Sequence, residues 1–140
     1  MSEQTINRST KAEAIESLKT IGQFIGFNQI SALKTAMRGE EKQFFFDMIV
    51  DLSQLIAKMS KTYEQDGKGE QAIAYLHYFK GSGDWYITER DTEPDQYQAF
   101  GVANLGYGAE LGYISIVELL KNDVELDLYF KPKTLQEAQK

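Results

Sequence analysis

The chain has 140 residues, 21 acidic and 15 basic side chains, and a formal net charge of −6 at pH 7. It has no cysteine and one histidine, which excludes disulfide scaffolds, thiolate zinc sites, iron–sulfur clusters, cysteine nucleophiles and histidine-rich metal centres. Apolar residues make up 42% and aromatics 12%, the balance of a folded chain of one domain, and the polar start reads as neither signal peptide nor membrane span, so a cytoplasmic protein is expected.

From the N-terminus, a polar stretch of nine residues leads to Thr10 and Glu13, spaced as a capping box. Ile15, Leu18, Ile21, Phe24 and Ile25 then recur at helical spacing, which predicts a helix over 11–25. Asn28 is placed to cap a second helix over 29–38, with Ile30, Leu33 and Met37 on one stripe. A third helix, 40–61, has the widest apolar stripe: Phe45, Met48, Ile49, Leu52, Leu55, Ile56 and Met59. Glu40 and Glu41 would sit in its first turn and Lys58 and Lys61 in its last, which suits the helix dipole.

Residues 62–71 read as a turn-rich linker, because Asp66-Gly67 and Lys68-Gly69 are breakers. The period then changes from helical to extended. Residues 72–79 are apolar on both faces, as an interior strand would be. Residues 81–84 form a hairpin turn, and 85–89 return with Trp85 and Ile87 on one face, Tyr86 and Thr88 on the other. A loop over 90–96 contains Pro94; 97–105 is a third strand; Gly106, Gly108 and Gly112 bracket a glycine-rich turn holding Tyr107, Glu110 and Tyr113. Ser115 with Glu118 opens a short helix, 124–130 alternates as a half-buried strand, and Thr134 with Glu137 opens a terminal helix. The expected fold is α+β: a helical segment over 1–65 packed on a mostly antiparallel sheet of about four strands over 66–140, with a short helix before the last strand, the whole forming one domain.

The charge lies in one half. Residues 1–83 hold ten acids and ten bases, whereas 84–140 hold eleven acids and five bases. No Lys/Arg cluster offers a phosphate-binding face, which argues against direct nucleic-acid binding. Eleven aromatic side chains crowd into residues 75–130, more than one sheet face can bury, and tyrosine and tryptophan are favoured at interfaces. His77 reads as a packed, hydrogen-bonded residue rather than a general base. The glycine spacing at 106–112 matches neither a dinucleotide fingerprint nor a P-loop.

The run W-Y-I-T-E (85–89), the E-L-G-Y-I-S segment (110–115) and the closing E-L-D-L-Y-F-K-P-K-T-L (125–135) resemble a family known only as a domain of unknown function. The resemblance covers 61–135. It implies small proteins of plasmids, integrative elements and phages, sometimes beside antirestriction genes, and carries over no catalytic residue. The expectation is a non-enzymatic protein-interaction module of a mobile genetic element, an accessory or anti-defence factor. It would bind a host or element protein through Trp85, Tyr86, Asp91, Glu93, Asp95, Tyr107, Glu110 and Tyr113, with no catalytic residue, metal or cofactor; a homo-oligomer is compatible with this. Two alternatives stand beside it: a DNA-processing accessory enzyme with a divalent metal held by Glu89, Asp91 and Glu110, and a single-strand nucleic-acid binder that stacks bases on its aromatics.

Overall fold

The computed structural model describes residues 8–91 and 98–140. The fold is α+β, with the first four α-helices on one face of a mostly antiparallel sheet and the short terminal helix on the other side. Helix α1 (Lys11–Ile21) starts at the expected capping box: the Thr10 hydroxyl accepts from the Glu13 amide (3.1 Å), and the Thr10 amide donates to the Glu13 carboxylate (2.8 Å). It stops before the predicted end, because 22–25 turn so that Phe24 and Ile25 enter the core from a loop. Helix α2 (Phe27–Ala36) is capped by Gly26 without a side-chain bond, and Asn28, the expected cap, lies inside its first turn.

Helix α3 (Lys42–Lys58) is shorter than its apolar stripe suggested, and Glu40 and Glu41 precede it instead of filling its first turn. Phe46, Ile49 and Ile56 are its buried residues; Phe45 is only half-buried, so the buried stripe is rotated by one position at its start. Helix α1 packs along α3.

The extended half has seven short strands: β1 (Ile73–Ala74), β2 (Leu76–Lys80), β3 (Gly83–Arg90), β4 (Gln98–Asn104), β5 (Ala109–Ser115), β6 (Glu125–Leu126) and β7 (Lys133–Thr134). Five form the main sheet in the order β5-β4-β3-β2-β6; β1 and β7 form a separate antiparallel pair. Three expectations change here. The single strand over 72–79 is split at Tyr75, where the chain passes from one core to the other: Ala72 and Ala74 belong to the second cluster, Leu76 and Tyr78 to the first. The segment 109–115 is a strand and not part of a glycine turn, which raises the main sheet from four strands to five. The strand over 124–130 shrinks to β6, because Asp127 turns the chain away with its carboxylate accepting from the Tyr129 amide (3.0 Å). Helix α4 (Ile116–Lys121) precedes β6 as expected, and α5 (Leu135–Ala138) closes the chain.

Cross-strand pairs fix the two faces of the sheet. One face carries the rows Tyr78–Trp85–Ala103–Glu110 and Leu76–Ile87–Gly101–Gly112. It packs on the helices in one core that mixes both halves of the chain, from Ile21 and Ile49 to Tyr78 and Ile87, and reaches β5 only at Ile114. Tyr78 is fully buried and its hydroxyl donates to the Phe24 carbonyl (2.6 Å), tying sheet to helical layer. The opposite face carries His77–Tyr86–Val102–Leu111 and is covered in part by a small cluster of Ala72, Ala74, Val102 and Leu135. We call these the helical face and the open face.

Candidate functional site

The site begins with an irregularity in β3. Ile87 pairs with Gly101, yet Glu89, two residues on, pairs with Phe100, the very next partner position, so Thr88 is a bulge. Regular alternation would have put Glu89 on the helical face beside Ile87. The bulge moves it to the open face, in a row with Phe100 and Tyr113. Gly101 makes this possible: a Cβ there would lie 1.9 Å from the Tyr86 carbonyl oxygen.

Glu89 is 4% exposed, and its carboxylate is fully engaged by the segment that reads as a linker. One oxygen accepts from the Tyr63 amide (2.8 Å), the other from the Gln65 amide (2.7 Å). The Gln65 side chain, also buried, donates to the Ile73 and Thr88 carbonyls (2.9 and 2.8 Å) and accepts from the Ile73 amide (2.6 Å). A buried carboxylate and a buried amide therefore satisfy each other's surroundings and pin 62–73 over the open face. Tyr63 pays for this geometry with a left-handed backbone (φ 73°), which a tyrosine adopts only when its neighbours impose it.

Between this pinned segment and the outer strands lies a cavity of about 350 Å³. Its walls are Tyr63, Gln65, Ala72, Thr88, Glu89, Phe100, Leu111, Tyr113 and Leu135, with Asp66 at the rim. The Phe100 and Tyr113 rings meet edge to face with centroids 5.6 Å apart, and the Tyr63 and Tyr113 hydroxyls lie 3.4 Å apart. The Tyr113 phenol is held above its ordinary range, first by the hydrogen bond with Tyr63 and also by the negative charge of Glu89 and Asp91. A shallower recess beside it includes Asp91 and Gln98.

The cavity adjoins the free edge of the sheet. Strand β5 ends the strand order, and among the described residues nothing pairs with its outer side. Leu111 and Tyr113 on the open face are 60% and 65% exposed, and Leu105 and Tyr107 at the hairpin tip 53% and 97%. Four large apolar or aromatic side chains thus border the open edge of one strand, which is unusual at a sheet edge.

The residues expected to form one binding surface are divided. Tyr107 and Tyr113 lie on the exposed edge, Glu110 is exposed on the same strand but on the helical face, and Asp91 lines the adjoining recess. Trp85 is instead packed against the main core. Tyr86 lies in the Leu111 row but two strands away and does not line the cavity; it stacks on His77 at 4.8 Å between ring centroids, and its phenol is pushed up by burial and by Asp84 and Asp127. Glu93 and Asp95 lie outside the described residues. The carboxylates considered for a metal are not brought together, since Glu89 is on the open face and Glu110 on the other, and among the described residues no three metal-ligating side chains converge. His77 is held on both sides, Nε2 2.8 Å from Asp84 and Nδ1 3.1 Å from Asp127.

Tyr63, Gln65, Phe100 and Leu111 were missed. The signal for Leu111 is present, because Leu111 and Tyr113 alternate as strand residues do, but the surrounding glycines outweigh it. Nothing local marks Gln65.

The family model for proteins of unknown function designated DUF2958 matches residues 49–137, which is more than half of the chain. The chain belongs to the DUF2958 family. The match includes every residue of the cavity and all seven strands, while α1 and α2 lie outside it. No curated protein and no solved structure matches the chain. No helix among the described residues of this DUF2958 chain is long and apolar enough to cross a membrane.

Proposed function

We propose that this DUF2958 protein is a non-enzymatic interaction module that binds a partner protein along β5 and the adjoining cavity. The observation that carries the reading is the edge itself: a seven-residue strand with no partner on its outer side among the described residues, bordered by Leu105, Tyr107, Leu111 and Tyr113, all more than half exposed. An unpaired edge offers a row of backbone donors and acceptors, and an extended partner segment can complete them while its side chains use the flanking aromatics. The acidic balance of residues 84–140 favours a basic partner surface. If the mobile-element setting implied by the resemblance holds, that partner is a host or element protein and the module an accessory or anti-defence factor.

The test is quantitative co-purification of the tagged full chain from its native cells, comparing wild type with the double variant Leu111→Lys, Tyr113→Lys and with Phe27→Lys. Phe27 is 81% exposed but lies on α2. The reading expects a protein that is lost with the β5 variant and kept with the α2 variant. The same set of proteins in all three samples would overturn it.

A further inference from the structure

We propose that the Glu89 cavity receives the side chain of an arginine or lysine from an extended partner segment paired along β5. This deepens the interaction reading and rests on it. The first support is placement. A strand added to β5 would lie roughly 5 Å beyond it, with alternate side chains standing on the open face next to Leu111 and Tyr113. Those two residues are also cavity walls, so a long side chain in that row reaches over them into the cavity.

The second support is the chemistry of the walls. Tyr63, Phe100 and Tyr113 present three aromatic rings around one opening. Aromatic faces attract a cation, and more strongly where water is excluded. The third is the sign of the charge. Glu89 and Asp66 line the cavity, and among the described residues no lysine, arginine or histidine does; Lys68, the nearest base on the pinned segment, is flanked by the lining residues Gly67 and Gly69 without lining it. The two backbone amides that Glu89 accepts from leave its negative charge unneutralised, so an anionic group entering here would be repelled and a cation attracted. The aliphatic part of an arginine or lysine stem suits Ala72, Leu111 and Leu135.

The experiment is calorimetric titration of the full chain with a capped peptide of alternating threonine and valine carrying one central arginine, against the same peptide with citrulline, its neutral isostere. Amide chemical shifts locate the site. The arginine peptide is expected to bind at least about tenfold more tightly, with shifts in β5 and in 62–66, and the difference should shrink with added salt. Tyr63→Gly and Tyr113→Ser should each abolish most of the difference. Both side chains are exposed, and glycine accepts the left-handed backbone at 63, so circular dichroism should show an unchanged fold. Equal binding of the two peptides, binding of neither, or an arginine preference that survives both variants would overturn the inference. Equal binding would still leave strand addition at β5 standing, and the co-purification comparison judges that separately.

Discussion

The two edges of the main sheet are treated in opposite ways. At one end, β6 is two residues long, and the amide and carbonyl of Leu126 are taken up by the Gln29 side chain (2.8 and 2.9 Å), which reaches across from α2. At the other end, β5 runs for seven residues, is bordered by exposed leucine and tyrosine, and has no such cover among the described residues. Sheet proteins shorten, cover or charge their edges because an open edge recruits other chains. This chain covers one edge with a half-buried glutamine and leaves the longer one open among the described residues. The same asymmetry runs across the faces: the helical face is a continuous core, whereas the open face keeps a cavity beside β5. On the proposed reading, the difference separates the part of the molecule that carries stability from the part that would meet a partner.

Substitutions can break or sharpen that contrast. Ile56→Ala empties a position that is 1% exposed in the helical core and should cost about 4 kcal/mol in urea unfolding; a loss below about 1 kcal/mol would mean that this face does not carry the fold. Gly101→Ala should cost about 3 kcal/mol, because its methyl would overlap the Tyr86 carbonyl and the bulge that aims Glu89 would have to shift. Proton exchange between the tyrosine side chains and solvent gives the third test. Tyr78 and Tyr86 are both pushed above the ordinary phenol value, Tyr78 by burial alone. Their folded state holds the proton more tightly than the unfolded chain, so the associated stability is present below about pH 10 and is lost as pH rises beyond it. Tyr78→Phe should cost about 2 kcal/mol at neutral pH by stranding the Phe24 carbonyl, and should flatten the alkaline decline. Gln29→Ala uncovers the β6 edge and should cost about 1 kcal/mol, with a rise in self-association measured by sedimentation. Tyr113→Ser on the open edge should change stability by less than about 0.5 kcal/mol, although it removes a wall of the proposed site.

Much of the fold was legible because local chemistry and tertiary structure agree. The Thr10, Ser115 and Thr134 caps all accept from the amide three residues on, and the Gly81-Ser82 hairpin places Lys80 opposite Gly83. The failures have physical causes. Glycines at 106, 108 and 112 suggest one long turn, but only Gly106 and Gly108 take the left-handed backbone that a turn requires; Gly112 is extended within β5. Residues 62–71 look like a linker because the groups that tie Tyr63 and Gln65 to the main sheet, on Thr88 and Glu89, lie more than 20 residues away. The position of Glu89 depends on a bulge, which shifts one strand register without any sequence signature of its own. Within the candidate site, Tyr107 and Tyr113 were found by aromatic density alone. The same criterion selected Trp85, which is packed against the core, because density does not say on which face a residue stands.

The most direct test of the interaction account is photo-cross-linking in native cells from single positions carrying a benzophenone side chain. Positions 107, 111 and 113 sample the open edge, and 15, 27 and 117 sample exposed apolar residues on the helices. The account predicts that one common protein is captured from the three edge positions and not from the helical ones. Capture of that protein equally from both sets, or adducts only from positions 15, 27 and 117, would contradict it.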